Sequence, residues 1–234
     1  MTKGTLLVIG AAGEVGQGIV AAALASGRQV IAAGRNGDML DRIAARHPGK
    51  PLARVIGDIG TETGAVALWD EATTKFGAID AVVVSVTAVN ERQPLMGWGA
   101  AALATAIASE PLLHFIAAKT FVPRLAQHGI FIGIGGGTAD FIIPKMAHVS
   151  MSQAAQRMLY RGLVRERRGG AEIRELTIVS MVNGESSREN AKPEWVTDIE
   201  IGQHVCAILE SPTSFPGPVL QLKSHEQVGH PEAV

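Results

Sequence analysis

Cysteine and tyrosine each occur once in this chain, and aromatic residues make up only 4% of it. A lone cysteine excludes an intramolecular disulfide and any two-cysteine metal site. Cys206 lies in the apolar stretch Val205-Cys206-Ala207-Ile208 and reads as a small buried residue. His47, His114, His128, His148, His204, His225 and His230 show no close ligand pairing, so no metal site is read from them. Net charge is almost absent, at −1. The one dense basic stretch, residues 161–168, has helical spacing near an expected helix end, where cations are favourable. Nothing calls for a nucleic-acid partner. No apolar run approaches the roughly 18 residues of a membrane span, and the N-terminus leads straight into a strand with no cleavage site. The expectation is a soluble, cytoplasmic protein without a membrane partner. No linker, repeat or second domain is visible, so one domain over residues 1–224 is expected, followed by an extended or disordered tail at 225–234.

What the chain does have is aliphatic bulk. Hydrophobic residues reach 47%, mostly Ala, Val, Ile and Leu, which suits a parallel sheet covered by helices. The stretch over residues 5–35 organises the rest. An apolar strand at 6–9 runs into Gly10-Ala11-Ala12-Gly13-Glu14-Val15-Gly16. A helix then extends to Ser26-Gly27, and a second strand at 30–33 ends at Gly34-Arg35. That strand–turn–helix–strand order lays a pyrophosphate across a helix N-terminus. Unpaired N–H groups and the helix dipole meet the negative charge there.

Further strands are expected at 52–56, 80–85, 130–134, 176–182 and 219–222, with helices between them. A helix after Gly37 is expected to be capped at Asp38, and another at Thr61. Residues 87–99, with Asn90 and Pro94, read as loop. A long helical stretch over 100–127 should kink or restart at Pro111 and at Pro123. A second long helix is expected over 145–167, a polar, lid-like mobile loop over 185–197, and a last helix over 198–209. The fold class is therefore α/β: a doubly wound parallel sheet (Rossmann fold) of about seven strands with helices on both faces.

On the glycine loop, on Asp58-Ile59 after strand three and on Gly217-Pro218-Val219-Leu220 before the last strand, the chain resembles the short-chain dehydrogenase/reductase superfamily along nearly its whole length. The resemblance implies that Gly10, Ala12, Gly13, Glu14, Val15, Gly16, Arg35, Asn36, Asp58, Ile59, Ser85 and Val86 hold a nicotinamide dinucleotide. Asp58 matches the position that contacts adenine. Arg35, with no acid at the end of strand two, favours NADP(H), with NAD(H) the alternative. Glu14 is an unhelpful charge near phosphates unless its side chain turns away. The resemblance also implies a homodimer or homotetramer through helices four and five, where Ala117, Ala118, Ala154 and Ala155 suit close packing.

The family's catalytic residues are missing. Val149 stands at the tyrosine position, Gln153 at the lysine position and Gly136 at the serine position. The asparagine position falls near Glu110. Tyr160 lies about three turns beyond Val149, too far to replace the tyrosine, and reads as packing or subunit interface. Candidate replacements are His148, beside the tyrosine position but rotated about 100° from it, and Glu110 and His114, which share a helix face. Three readings stay open. The first is an NADP(H)-dependent oxidoreductase acting on an unknown small carbonyl or alcohol with non-standard or weak catalysis. The second is a catalytically silent NADP(H)-binding regulatory or partner protein. The third is a member that isomerises or eliminates without net redox change.

Overall fold

A computed structural model of the protein describes residues 3–87, 91–126 and 128–231. Asn90, Gln127 and residues 232–234, on which parts of the loop, helix and tail expectations fall, lie outside them. The first elements are β1 (Thr5–Ile9), α1 (Glu14–Ala25), β2 (Gln29–Gly34), α2 (Gly37–Arg46), β3 (Leu52–Ile56), α3 (Glu62–Phe76) and β4 (Ala81–Val84). Then come α4 (Ala100–Phe121), β5 (Ile130–Gly136), α5 (Ala147–Glu166), β6 (Glu172–Ile178), β7 (Val182–Asn183), β8 (Val196–Thr197), α6 (Asp198–Glu210) and β9 (Val219–Leu222).

Seven strands form one parallel sheet in the order β3-β2-β1-β4-β5-β6-β9. Side chains alternate across each strand, so one short run feeds two cores. Leu6 and Val8 face α1 and α6, packing with Ile19, Val20, Ile201 and Val205. Leu7 and Ile9 face α3 and α4, packing with Leu68, Trp69, Ala117 and Phe121. The strand order reverses between β1 and β4, which opens a crevice at the carboxyl ends of the strands.

Where α1 crosses α6, the helices touch backbone to backbone. A Cβ added at Gly18 would fall within 3.0 Å of the Asp198 carbonyl, and one at Gly202 within 3.0 Å of the Gly18 carbonyl. Small residues at both positions therefore set the spacing of the pair.

Several expectations need correction. The cap of α2 is Asn36, whose Oδ1 accepts from Met39 N at 3.1 Å, and Asp38 sits in the first turn, where a negative charge meets the helix dipole. Thr61 caps α3 as expected, accepting from Gly64 N at 3.0 Å. The helix α4 runs through Pro111 without a break, because a proline there removes one backbone bond while the buried face of the helix keeps its packing. Pro123 does stop it, in a 3-10 turn at Val122–Arg124. Residues Ala100–Arg124 are also long and apolar enough to cross a membrane by length and composition, contrary to the sequence reading. The second half of that helix buries Ile116, Ala117, Ala118 and Phe121, as a core helix does. Strand six ends at Ile178, and Val182 belongs instead to the two-stranded β7–β8 pair.

The lid-like loop and the tail are both tied down. Ser186 N donates to Glu14 Oε1 at 2.6 Å, Arg46 pairs with Glu185 at 2.9 Å, and a 3-10 turn spans Arg188–Asn190. In the tail, His225 bridges Glu200 Oε1 at 2.7 Å and the Pro193 carbonyl at 2.8 Å. Both partners are acceptors, so the ring serves them as an imidazolium, and the bond to Glu200 is the main reason its pKa is raised. Gly229 N donates to His204 Nδ1 at 3.1 Å. Residues 225–231 are therefore docked rather than extended. Thr197 and Glu200 form a reciprocal capping box at the start of α6, the helix on which this docking rests. Thr197→Ala is expected to cost about 1 kcal/mol, read as a lower urea midpoint.

Candidate functional site

The crevice is a cleft of about 1090 Å³ above β1, β4 and β5. Gly10, Gly13 and Gly16 divide the work of the loop. Gly10 has φ 78, a left-handed conformation, and its bare Cα lies against the Ser85 carbonyl. At Gly13 the only atom near an added Cβ is Gly10 O, at 3.4 Å, so this side of the loop is open to the cleft. Gly16 does not line the cleft; it lets α1 pack onto the Gly10–Ala11 backbone, and this corrects its expected role as a direct contact. The other eleven expected cofactor positions, Gly10, Ala12, Gly13, Glu14, Val15, Arg35, Asn36, Asp58, Ile59, Ser85 and Val86, all line the cleft.

At the end bounded by β2 and β3, Arg35 is the one cationic side chain among the described lining residues. Asn36 is partly spent on its cap, and Asp58 Oδ1 accepts from Gly60 N at 2.9 Å. The Glu14 carboxylate accepts from Ser186 N at 2.6 Å while the residue still lines the cleft. The open loop, the bare Gly13 and the N-terminus of α1 together fit a dinucleotide pyrophosphate.

At the β5–α5 end, Val149 and Gln153 lie one helical turn apart and both line the cleft, beside Gly135, Gly136 and Gly137. The positions that the resemblance matches to the family's tyrosine and lysine thus face the cleft. Glu110 lines it too and is 1% exposed. Two candidates do not reach it. His148 is fully buried with its ring 4.8 Å from Trp98, rotated away from Val149 by the helical twist. His114 is fully buried with Nδ1 2.8 Å from the Tyr160 hydroxyl, and burial pushes its pKa down to about 3. It is a neutral core residue. Tyr160 stacks on Phe131 at 6.2 Å inside the chain, and its hydroxyl fills the space left by Gly133. Burial raises its pKa well above the ordinary value.

The sequence reading missed Thr138, Gln156 and Glu175. Thr138 hydrogen-bonds Gln153 Oε1. Gln156 Nε2 donates to Ile134 O at 3.0 Å and to Glu175 Oε1 at 3.1 Å, beneath Gly135. Glu175 is 1% exposed, and burial raises its pKa to about 7. Gly133 and Gly135 were the available signal. Two glycines on one face of a buried strand leave room that other side chains must fill.

A family model described as enoyl-(acyl carrier protein) reductase matches residues 10–180, more than half of the chain. The chain belongs to the short-chain dehydrogenase/reductase superfamily. Members of that superfamily are oxidoreductases that bind nicotinamide cofactors. No curated protein matches the chain. Solved members of the superfamily share its fold. A short-chain dehydrogenase/reductase of Brucella melitensis, named as a glucose/ribitol dehydrogenase, superposes with TM-score 0.81 at 20% identity, covering 95% of this chain and 96% of that one. An alcohol dehydrogenase of Thermococcus sibiricus complexed with 5-hydroxy-NADP gives 0.78 at 20%, covering 98% and 99%. An apo short-chain oxidoreductase of Pseudomonas aeruginosa PAO1, described as containing an atypical catalytic center, gives 0.80 at 16%, covering 94% and 96%. Among the described residues of this short-chain dehydrogenase/reductase there is no group of three or more His, Cys, Asp or Glu placed to hold a metal.

Proposed function

We propose that the chain is an NADP(H)-binding oxidoreductase acting on a small carbonyl or alcohol without the usual tyrosine acid. Arg35 carries this reading: it is the lone cation lining the cleft among the described residues, at the strand end where a 2′-phosphate distinguishes NADP from NAD. The Thermococcus relative's complex with 5-hydroxy-NADP supports a phosphorylated dinucleotide on this fold. When bound, the dinucleotide supplies or accepts hydride. The chain's own part is to bind and orient. Backbone N–H groups at the start of α1 would hold the pyrophosphate, Arg35 the 2′-phosphate and Asp58 the adenine. Val149 cannot give up a proton, so water or Glu110, at the cleft wall, supplies it.

A second reading is a silent NADP(H)-binding partner protein, favoured by the replacement of the tyrosine, lysine and serine together by Val149, Gln153 and Gly136. Either form assembles as a cytoplasmic homodimer or homotetramer through α4 and α5, which expose Leu112, Phe115, Met151 and Met158.

Titration with NADPH and NADH by nicotinamide fluorescence tests the reading. A charge-assisted contact is worth about 1.5–3 kcal/mol, so Arg35→Ser is expected to weaken NADPH about 10- to 100-fold and leave NADH nearly unchanged. Absence of binding to either nucleotide overturns the proposal. Turnover across a carbonyl panel then separates the enzyme from the silent protein.

A further inference from the structure

The substrate end of the cleft holds few donors. Phe141, Ile143, Val149, Val179 and Met181 make it largely apolar. From α5 and the segments after β5 and β6, the hydroxyl and amide donors lining the cleft are Thr138, Gln153, Ser180 and Ser187. The two serines are spent on the backbone. Ser180 Oγ donates to Met181 O at 2.7 Å and accepts from Val196 N at 3.1 Å. Ser187 Oγ donates to Val182 O at 2.7 Å and accepts from Gly184 N at 2.9 Å. Thr138 gives its hydroxyl proton to Gln153 Oε1. On this side of the cleft what remains is the Gln153 amide N–H; Ser85 and Thr87 line the cleft from the end of β4.

That amide is held in place. It lies against Gly136, where an added Cβ would sit 2.6 Å from Nε2, so any side chain at 136 would displace it. The replacements at the serine and lysine positions are therefore sterically coupled: the glycine makes room for the glutamine head. With Oε1 engaged by Thr138, the two N–H donors of this cleft-lining side chain have no hydrogen-bond partner among the described residues.

We propose that Gln153 is the group that binds the substrate's reacting oxygen, as a neutral hydrogen-bond donor, and that Thr138 is the residue that positions it. The site recognises a carbonyl oxygen or the oxyanion it becomes, in the manner of an oxyanion hole, and gives up no proton of its own. Its ligands are apolar molecules bearing one such oxygen. This rests on the oxidoreductase reading above.

The test uses 4-nitrophenol, whose absorbance reports its ionisation, and needs no dinucleotide. Bound to the wild-type chain, its apparent pKa is expected to fall by about 1 relative to free solution, a 10-fold preference for the phenolate. Gln153→Leu should abolish the shift. Thr138→Val should reduce it, and Thr138→Ser should restore it, which a merely structural role for Thr138 would not produce. An unshifted pKa, an absence of saturable binding, or a shift that survives Gln153→Leu overturns the proposal. The dinucleotide titration, run in parallel, separates the two readings. Dinucleotide binding without a probe shift removes only the role of Gln153, whereas a probe shift without dinucleotide binding removes only the oxidoreductase reading.

Discussion

Gly18→Ala is expected to be among the most damaging single-methyl changes available to this chain. The added Cβ would fall within 3.0 Å of the Asp198 carbonyl and carbonyl carbon, which are backbone atoms and cannot swing aside as a side chain would. The helices α1 and α6 must separate, and Ile19, Val20, Ile201 and Val205, all fully buried between them and the sheet, lose contact together. Overpacking typically costs 1–3 kcal/mol, and a backbone clash at a helix crossing belongs at the top of that range, at about 3 kcal/mol. Alanine is otherwise the better helix former by about 1 kcal/mol, so the sign itself is informative. Urea unfolding of Gly18→Ala against the parent decides it. A neutral or stabilised variant would show that the two backbones do not touch.

Glu175→Gln should change how stability depends on pH. The carboxyl is buried in β6, accepts one bond from Gln156, and leaves Oε2 without a partner. Burial outweighs the Gln156 bond and the nearby Arg157 and Arg161, and holds its pKa at about 7 against an ordinary 4.5. The folded chain thus keeps a proton that the unfolded chain has lost. The contribution of this group is fully present below about pH 4.5 and is lost as pH rises through about 7. The gap corresponds to about 3 kcal/mol. Glutamine keeps the shape and drops the ionisation. The variant is expected to match the parent near pH 4 and to exceed it by up to about 3 kcal/mol above pH 8. Parallel stability curves for the two proteins would refute this.

The parallel sheet was legible because its strands are continuous apolar runs and its turns are marked by glycine. The strands at 52–56 and 219–222 are found where the pattern placed them. The start of β6 was hidden by Glu172, Arg174 and Glu175, which ion-pair or sit beneath a glycine instead of following the apolar pattern. The glycine-loop end of the cleft is local in sequence, with each lining residue adjacent to a strand end, so its membership of one cleft could be read from the chain. The β5–α5 end is not local. Gln153 and Thr138 belong to different elements, and no spacing rule predicts that one will hold the other. His148 and His114 were plausible on chemistry alone, and only the helical rotation and the burial that the packed chain imposes remove them from the cleft.

The docking of residues 225–231 on Glu200, Pro193 and His204 also bears on the order of biosynthesis. A chain emerging from the ribosome N-terminus first completes the glycine loop, β2 and β3 early. Pro193 and Glu200 meet their histidine only once residue 225 has been made. The glycine-loop half of the cleft is thus synthesised well before the segment that fastens itself to α6 and to Pro193.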